Sequence, residues 1–122
     1  MGNVFKKGDI LIGDKRKFTE AYHPIVFIDG PDDAPLAVVL THSDNNKFTC
    51  NIKLSNIYGS GDKFSYFIAH LIEKMSEWGP YKKIGKLTEG DIDIIEAHIS
   101  KNPITWNQYI EYTKNGCPDH NG

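Results

Sequence analysis

Apolar positions along the chain change rhythm near its middle. In the first half they come in runs of five to eight, each closed by turn residues. "DILIG" (9–13) stops at a glycine, "PIVFI" (24–28) runs into Asp29-Gly30-Pro31, and "PLAVVL" (35–40) follows Asp32-Asp33-Ala34. "KFTCNIKL" (47–54) alternates Phe48, Cys50, Ile52 and Leu54 with period two. Short β-branched runs bounded by Gly, Pro and Asp predict strands of a small barrel. Pro24 and Pro35 stand at strand starts, where a missing N–H is tolerated. The segment "YGSGDK" (58–63) reads as a flexible turn without phosphate-loop spacing.

The second half reads differently. Phe64, Phe67, Ile68, Leu71, Ile72 and Met75 recur at helical spacing, which predicts helix over at least part of 64–75. "KKIGKL" (82–87) is a further strand. Thr88 then reads as an N-cap, with Asp91 as a weak capping partner, for a helix burying Ile92, Ile95 and Ile99 and reaching about Ser100. Asn102-Pro103 predicts a second helix start, carrying Trp106, Tyr109 and Ile110 to about Asn115-Gly116. The expected organisation is one domain over 1–122, with a core over about 5–100, a helical extension over 102–116 and a tail over 117–122. Its class is α+β, mainly β.

Composition narrows the function. Apolar residues are 39% and charged residues 25%, which is the balance of a globular domain rather than a disordered one. No apolar run approaches the roughly 20 residues of a membrane-spanning helix, and "MGNVFKKGDI" lacks a signal-peptide core. Met1-Gly2 begins a myristoylation pattern that Lys6 breaks. Cys50 and Cys117 form no C-x-x-C pair and read as thiols of a reducing cytoplasm. Cytoplasmic localisation without a membrane partner is therefore the expectation. The net charge of −2 argues against a general nucleic-acid coat. Charge is nonetheless polarised. Residues 1–20 hold five basic against three acidic groups, and residues 87–122 hold two against six, so the N-terminal part could meet a local anionic partner.

His23 stands just before one predicted strand, and Thr41-His42-Ser43-Asp44 just after the next. Antiparallel pairing would bring these ends together. Cleaving RNA without a metal needs a base for the 2′-hydroxyl, an acid for the departing 5′-oxygen and donors for the charged phosphorane. Histidine can serve as either acid or base near neutral pH, hydroxyls can donate, and the basic loop Lys15-Arg16-Lys17 can bind phosphate. Equally, Thr-His-Ser-Asp is good turn chemistry, a histidine beside a turn is commonly a surface residue, and "DKRK" can be a solvated loop. His70 and His98 read as structural, and His120 lies in the tail. No H-x-x-x-H spacing suggests a metal site, so neither metal nor cofactor is expected.

From Lys7 to about Ile99 the order of motifs resembles the MazF/PemK family of toxin endoribonucleases. The elements are "KKGDILIG", a basic loop, His23-Pro24 before "IVFI", "VVLTHS", "SYFIA" and "KKIGKLTEGDIDII". The family commonly has arginine where this chain has His23, and a strand where the 64–75 spacing predicts helix. The resemblance implies an SH3-like small barrel of about five or six strands over 7–87, with helices packed outside. It also implies a type II toxin that cleaves single-stranded RNA without a metal. His23, Thr41, His42 and Ser43 would be catalytic, and Lys15, Arg16 and Lys17 would bind RNA. A cognate antitoxin and a homodimer are the expected partners. Two other readings stay open. One is a toxin of the same barrel that inhibits a protein target, like the gyrase poison CcdB, through Trp106 to Tyr112. The other is a non-catalytic binding module.

Overall fold

The computed structural model describes residues 5–13, 24–41, 51–58, 64–73, 80–99 and 102–113. Five strands follow the predicted runs or lengthen them: β1 (Asp9–Gly13), β2 (Ile25–Asp29), β3 (Leu36–Thr41), β4 (Asn51–Tyr58) and, after β5 (Phe64–Ile68) and β6 (Ile72–Glu73), β7 (Tyr81–Lys86). Of the expected strand over 47–54, residues 47–50 lie outside the described set, and β4 continues to Tyr58. The sheet order is β4-β5-β3-β2-β1-β7, antiparallel throughout. The molecule is thus mainly β, with two short helices, α1 (Glu89–His98) and α2 (Trp106–Thr113).

The central strands are apolar on both faces, which explains their unbroken runs. Ile10, Val26, Val38 and Leu40 enter one core cluster, closed by Leu54, Phe64, Phe67, Leu87 and Ile95 of α1. Their neighbours Leu11, Ile25, Phe27, Ala37 and Val39 enter a second cluster on the opposite face, covered by Ile72 and by Tyr109 of α2. Each such side chain taken from water contributes about 1.5–3 kcal/mol.

Two expectations are corrected here. Residues 64–73 form β5 (Phe64–Ile68) and the two-residue β6 (Ile72–Glu73), not a helix. Phe67 joins the first cluster and Ile68 the second, so adjacent residues are buried on opposite faces. A strand covered on both sides loses its period-two signature, and its apolar positions can then fall at helical spacing by coincidence.

The second helix also starts later than Pro103. Ile104 and Thr105 first form β8, parallel to β6 through Ile72↔Ile104 and Glu73↔Thr105. The cap is then Thr105. Its N–H donates to Gln108 Oε1 at 2.8 Å, while Gln108 N–H donates to Thr105 Oγ1 at 3.2 Å. This reciprocal pair is a capping box, written in the sequence as Thr-Trp-Asn-Gln. Residues 114–116 of the expected helix lie outside the described set.

The first helix starts where predicted but ends at His98, with Ile92 and Ile99 only partly buried, and Ser100 lies outside the described residues. Thr88 Oγ1 accepts from Asp91 N–H, and Ile95 is buried. Gly8, at φ 94°, holds a left-handed backbone that L side chains rarely adopt, and the helix lies close enough that a side chain there would push Ile92 aside. A Cβ there would sit 2.5 Å from Ile92 Cδ1. Gly8→Ala should therefore destabilise the fold by about 2 kcal/mol, from the left-handed backbone and the displaced isoleucine together. Chemical denaturation reads this directly, and an unchanged midpoint would contradict the close approach.

Candidate functional site

Of the predicted catalytic residues, Thr41 is described. His23, His42 and Ser43, the basic residues Lys15, Arg16 and Lys17, His120, and both cysteines lie outside the described residues. Thr41 ends β3. Its neighbour Leu40 donates its N–H to Pro24 O at 2.9 Å, and Ile25 pairs with Val39. The beginning of β2 is thereby fixed against the end of β3. On the other side, Thr41 pairs with Tyr66 of β5. Alternation along β3 puts Thr41 on the face of Val39, and the side chain is only 7% exposed.

Two other histidines, expected in helical stretches, are described: His98 is in α1, but His70 follows β5 outside any helix. His98 lies in the last turn of α1, its Nδ1 2.8 Å from Ile94 O. His70 packs its ring against Tyr109, with centroids 5.8 Å apart.

The polar constellation that sequence reasoning underrated centres on Asp91. This carboxylate is fully buried, yet every approach to it is a donor. Oδ1 accepts from Ser55 N–H at 2.7 Å. Oδ2 accepts from Asn56 N–H at 3.1 Å, Asn56 Nδ2 at 3.1 Å and Tyr58 Oη at 2.6 Å. Burial alone would raise its pKa. The hydrogen bonds from Tyr58, Ser55 and Asn56 outweigh that, and the pKa lies below the ordinary carboxylate value. With its oxygens occupied by donors from one strand, Asp91 is a structural tie between α1 and β4. Thr88 N–H also donates to Tyr58 Oη at 3.2 Å, so the end of β7 is tethered to the end of β4. The partners lie more than 30 residues from Asp91, and no local motif announces them.

Asp9 is a second buried acid, 2% exposed. Its Oδ2 accepts from Lys6 N–H at 2.8 Å, and Lys83 Nζ stands 3.1 Å from Oδ1. The ion pair offsets the buried charge and joins β1 to β7, although Oδ1 receives no well-aligned hydrogen bond. Nearby, burial pushes the Tyr81 phenol above its ordinary range, so it stays protonated.

Among the described residues, no group of three or more His, Cys, Asp or Glu side chains converges. Among them, too, no helix is long and apolar enough to cross a membrane. The most basic described element is β7, with Lys82, Lys83 and Lys86 all exposed. No family model matches the chain, and neither does any curated protein or solved structure.

Proposed function

We propose that this chain is a metal-independent endoribonuclease of the MazF/PemK toxin type, acting on single-stranded RNA. The observation that carries the reading is the register of β2 and β3. It seats Pro24 beside Leu40, and in the sequence His23 directly precedes Pro24 as Thr41 directly follows Leu40. His42 and Ser43 follow Thr41 directly in the chain. The sheet, on this reading, is the SH3-like small barrel, with β4 and β7 its two terminal strands, unpaired with each other among the described residues, and α1 tied to β4 through Asp91. An antitoxin protein and a second copy of the chain are its partners.

The chemistry is a transesterification. One histidine takes the 2′-hydroxyl proton as the 2′-oxygen attacks the adjacent phosphorus. The P–O5′ bond breaks, and the other histidine protonates the leaving 5′-oxygen. Thr41 and Ser43 hydroxyls donate to the phosphorane oxygens. The products are a 2′,3′-cyclic phosphate and a 5′-hydroxyl, with no metal required. Incubating the protein with single-stranded RNA in EDTA should give both ends. RNA that stays intact under these conditions would remove the proposal.

The protein-target alternative relies on aromatic contacts from Trp106 to Tyr112. Tyr109 is buried in the second core cluster, and Trp106 packs on it with ring centroids 5.0 Å apart. Tyr109, committed to the core, is not available to a partner, and this weakens the protein-target reading.

A further inference from the structure

β7 is a terminal strand of the sheet. Among the described residues it pairs with β1 alone, leaving one edge without a neighbouring strand. Its sequence, Tyr-Lys-Lys-Ile-Gly-Lys, contains three cations and no acid. Lys83 is engaged with Asp9, but Lys82 and Lys86 form no ion pair among the described residues. The pairing with β1 also shifts register. Ile10 faces Gly85 and Leu11 faces Lys83, which leaves Ile84 as the extra residue of a bulge, 40% exposed.

The bulge determines where the cations stand. Lys82 lies beside Ile12 and Lys86 beside Asp9, positions of opposite parity on β1. Cross-strand partners share a face, so the two ammonium groups flank the open edge from its two sides. Four residues at about 3.3 Å each separate them along the strand by roughly 13 Å.

Three occupants could meet this edge. A second copy pairing β7 with β7 would set lysine against lysine, which is destabilising. An added strand of another protein needs a regular ladder, and a bulge with lysines is how sheets keep such strands away. A flexible polyanion needs neither a ladder nor a flat edge, only cations spaced along its path. β7 also begins beside Gly13, from which the chain passes into Lys15-Arg16-Lys17. We propose that the outer edge of β7 is a track for the sugar-phosphate backbone of single-stranded RNA, with Lys82 and Lys86 holding phosphates from opposite sides of the strand. The choice of RNA rests on the nuclease reading; the anionic chemistry rests on β7 itself.

The test is equilibrium binding of the full chain to a 2′-O-methyl oligoribonucleotide, which cannot be cleaved, measured across a range of KCl concentrations. Each phosphate contact on a single strand contributes about 0.7 to the slope of log affinity against log salt. The double variant Lys82→Gln/Lys86→Gln should bind more weakly at low salt, with a slope shallower by about 1.4. Lys53→Gln, exposed on the far edge strand β4, should retain the wild-type slope. A double variant with the wild-type slope overturns the track. So does one that loses affinity for a polyglutamate peptide while keeping its RNA affinity, which would assign the edge to an acidic protein. Because the oligonucleotide is inert, the result is independent of catalysis. Binding that responds as expected in a chain that never cleaves RNA upholds the track and removes the nuclease. Cleavage with an unaltered slope does the reverse.

Discussion

Asp91→Asn should cost about 3 kcal/mol of folding stability. An asparagine of the same shape brings an NH2 where the site offers only donors. If the amide keeps its oxygen toward Tyr58 and Asn56, its nitrogen opposes Ser55 N–H across the 2.7 Å contact. If it turns over, two donors of Asn56 lose their acceptor. In either case a buried donor is stranded and the charge-assisted bonds become ordinary ones. The pH dependence supplies a second readout. The folded-state pKa of Asp91 is depressed, so its contribution is fully present above the unfolded carboxylate value near 4. It is lost as the pH falls through the folded-state value. Wild-type stability should therefore drop on acidification more steeply than that of Asp91→Asn, and the two curves should converge in acid. Parallel curves would show that Asp91 titrates alike in both states.

Tyr58→Phe is the milder companion, since it removes one of the four donors and leaves the carboxylate charged. A loss of about 1–2 kcal/mol is expected, with the acid limb retained. The order Asp91→Asn, then Tyr58→Phe, follows from which side of the hydrogen bond is stranded.

The elements legible in the sequence were those whose signals are local. "DILIG" became β1 with both boundaries as read, and Thr88 capped α1 through Asp91 N–H. Turn residues and caps act over three or four positions, so a sequence window contains their whole cause. Residues 64–73 failed for the opposite reason. Whether Phe64, Phe67 and Ile68 line a helix or a strand depends on β3 and β4 lying on either side, and no window around them contains those strands. The start of α2 sits between these cases. Thr105 and Gln108 spell a capping box, but Pro103 two residues earlier was the stronger local signal for a start. The second face of the sheet then drew Ile104 into a strand against Ile72. Of the candidate site, the sequence pointed to the meeting of the β2 start and the β3 end, because pairing of consecutive strands is the commonest topology. It could not indicate that Thr41 is nearly closed over, nor that Asp91 ties α1 to the distant strand β4. Both depend on contacts across the fold.

His23→Ala should lower single-turnover RNA cleavage by about 100-fold or more while leaving equilibrium binding close to wild type. The reasoning separates positioning from chemistry. A residue that moves a proton matters only once the 2′-oxygen attacks, so its loss falls on the rate. Arg16→Ala should do the opposite. A guanidinium holding phosphate binds substrate and transition state alike, and phosphate carries no base identity, so affinity should fall uniformly across RNA sequences. That loss should shrink as salt rises, because screening weakens the same contact in the wild type. The pH profile discriminates further. Two histidines acting as base and acid give a bell-shaped rate, rising and falling on either side of a value near 6.5. With His23 removed, one limb should disappear and the other remain. A variant that loses rate but keeps the whole bell would make His23 a positioning residue acting through another group. One that cleaves at the wild-type rate would leave His23 as no more than a polar residue before the proline that opens β2.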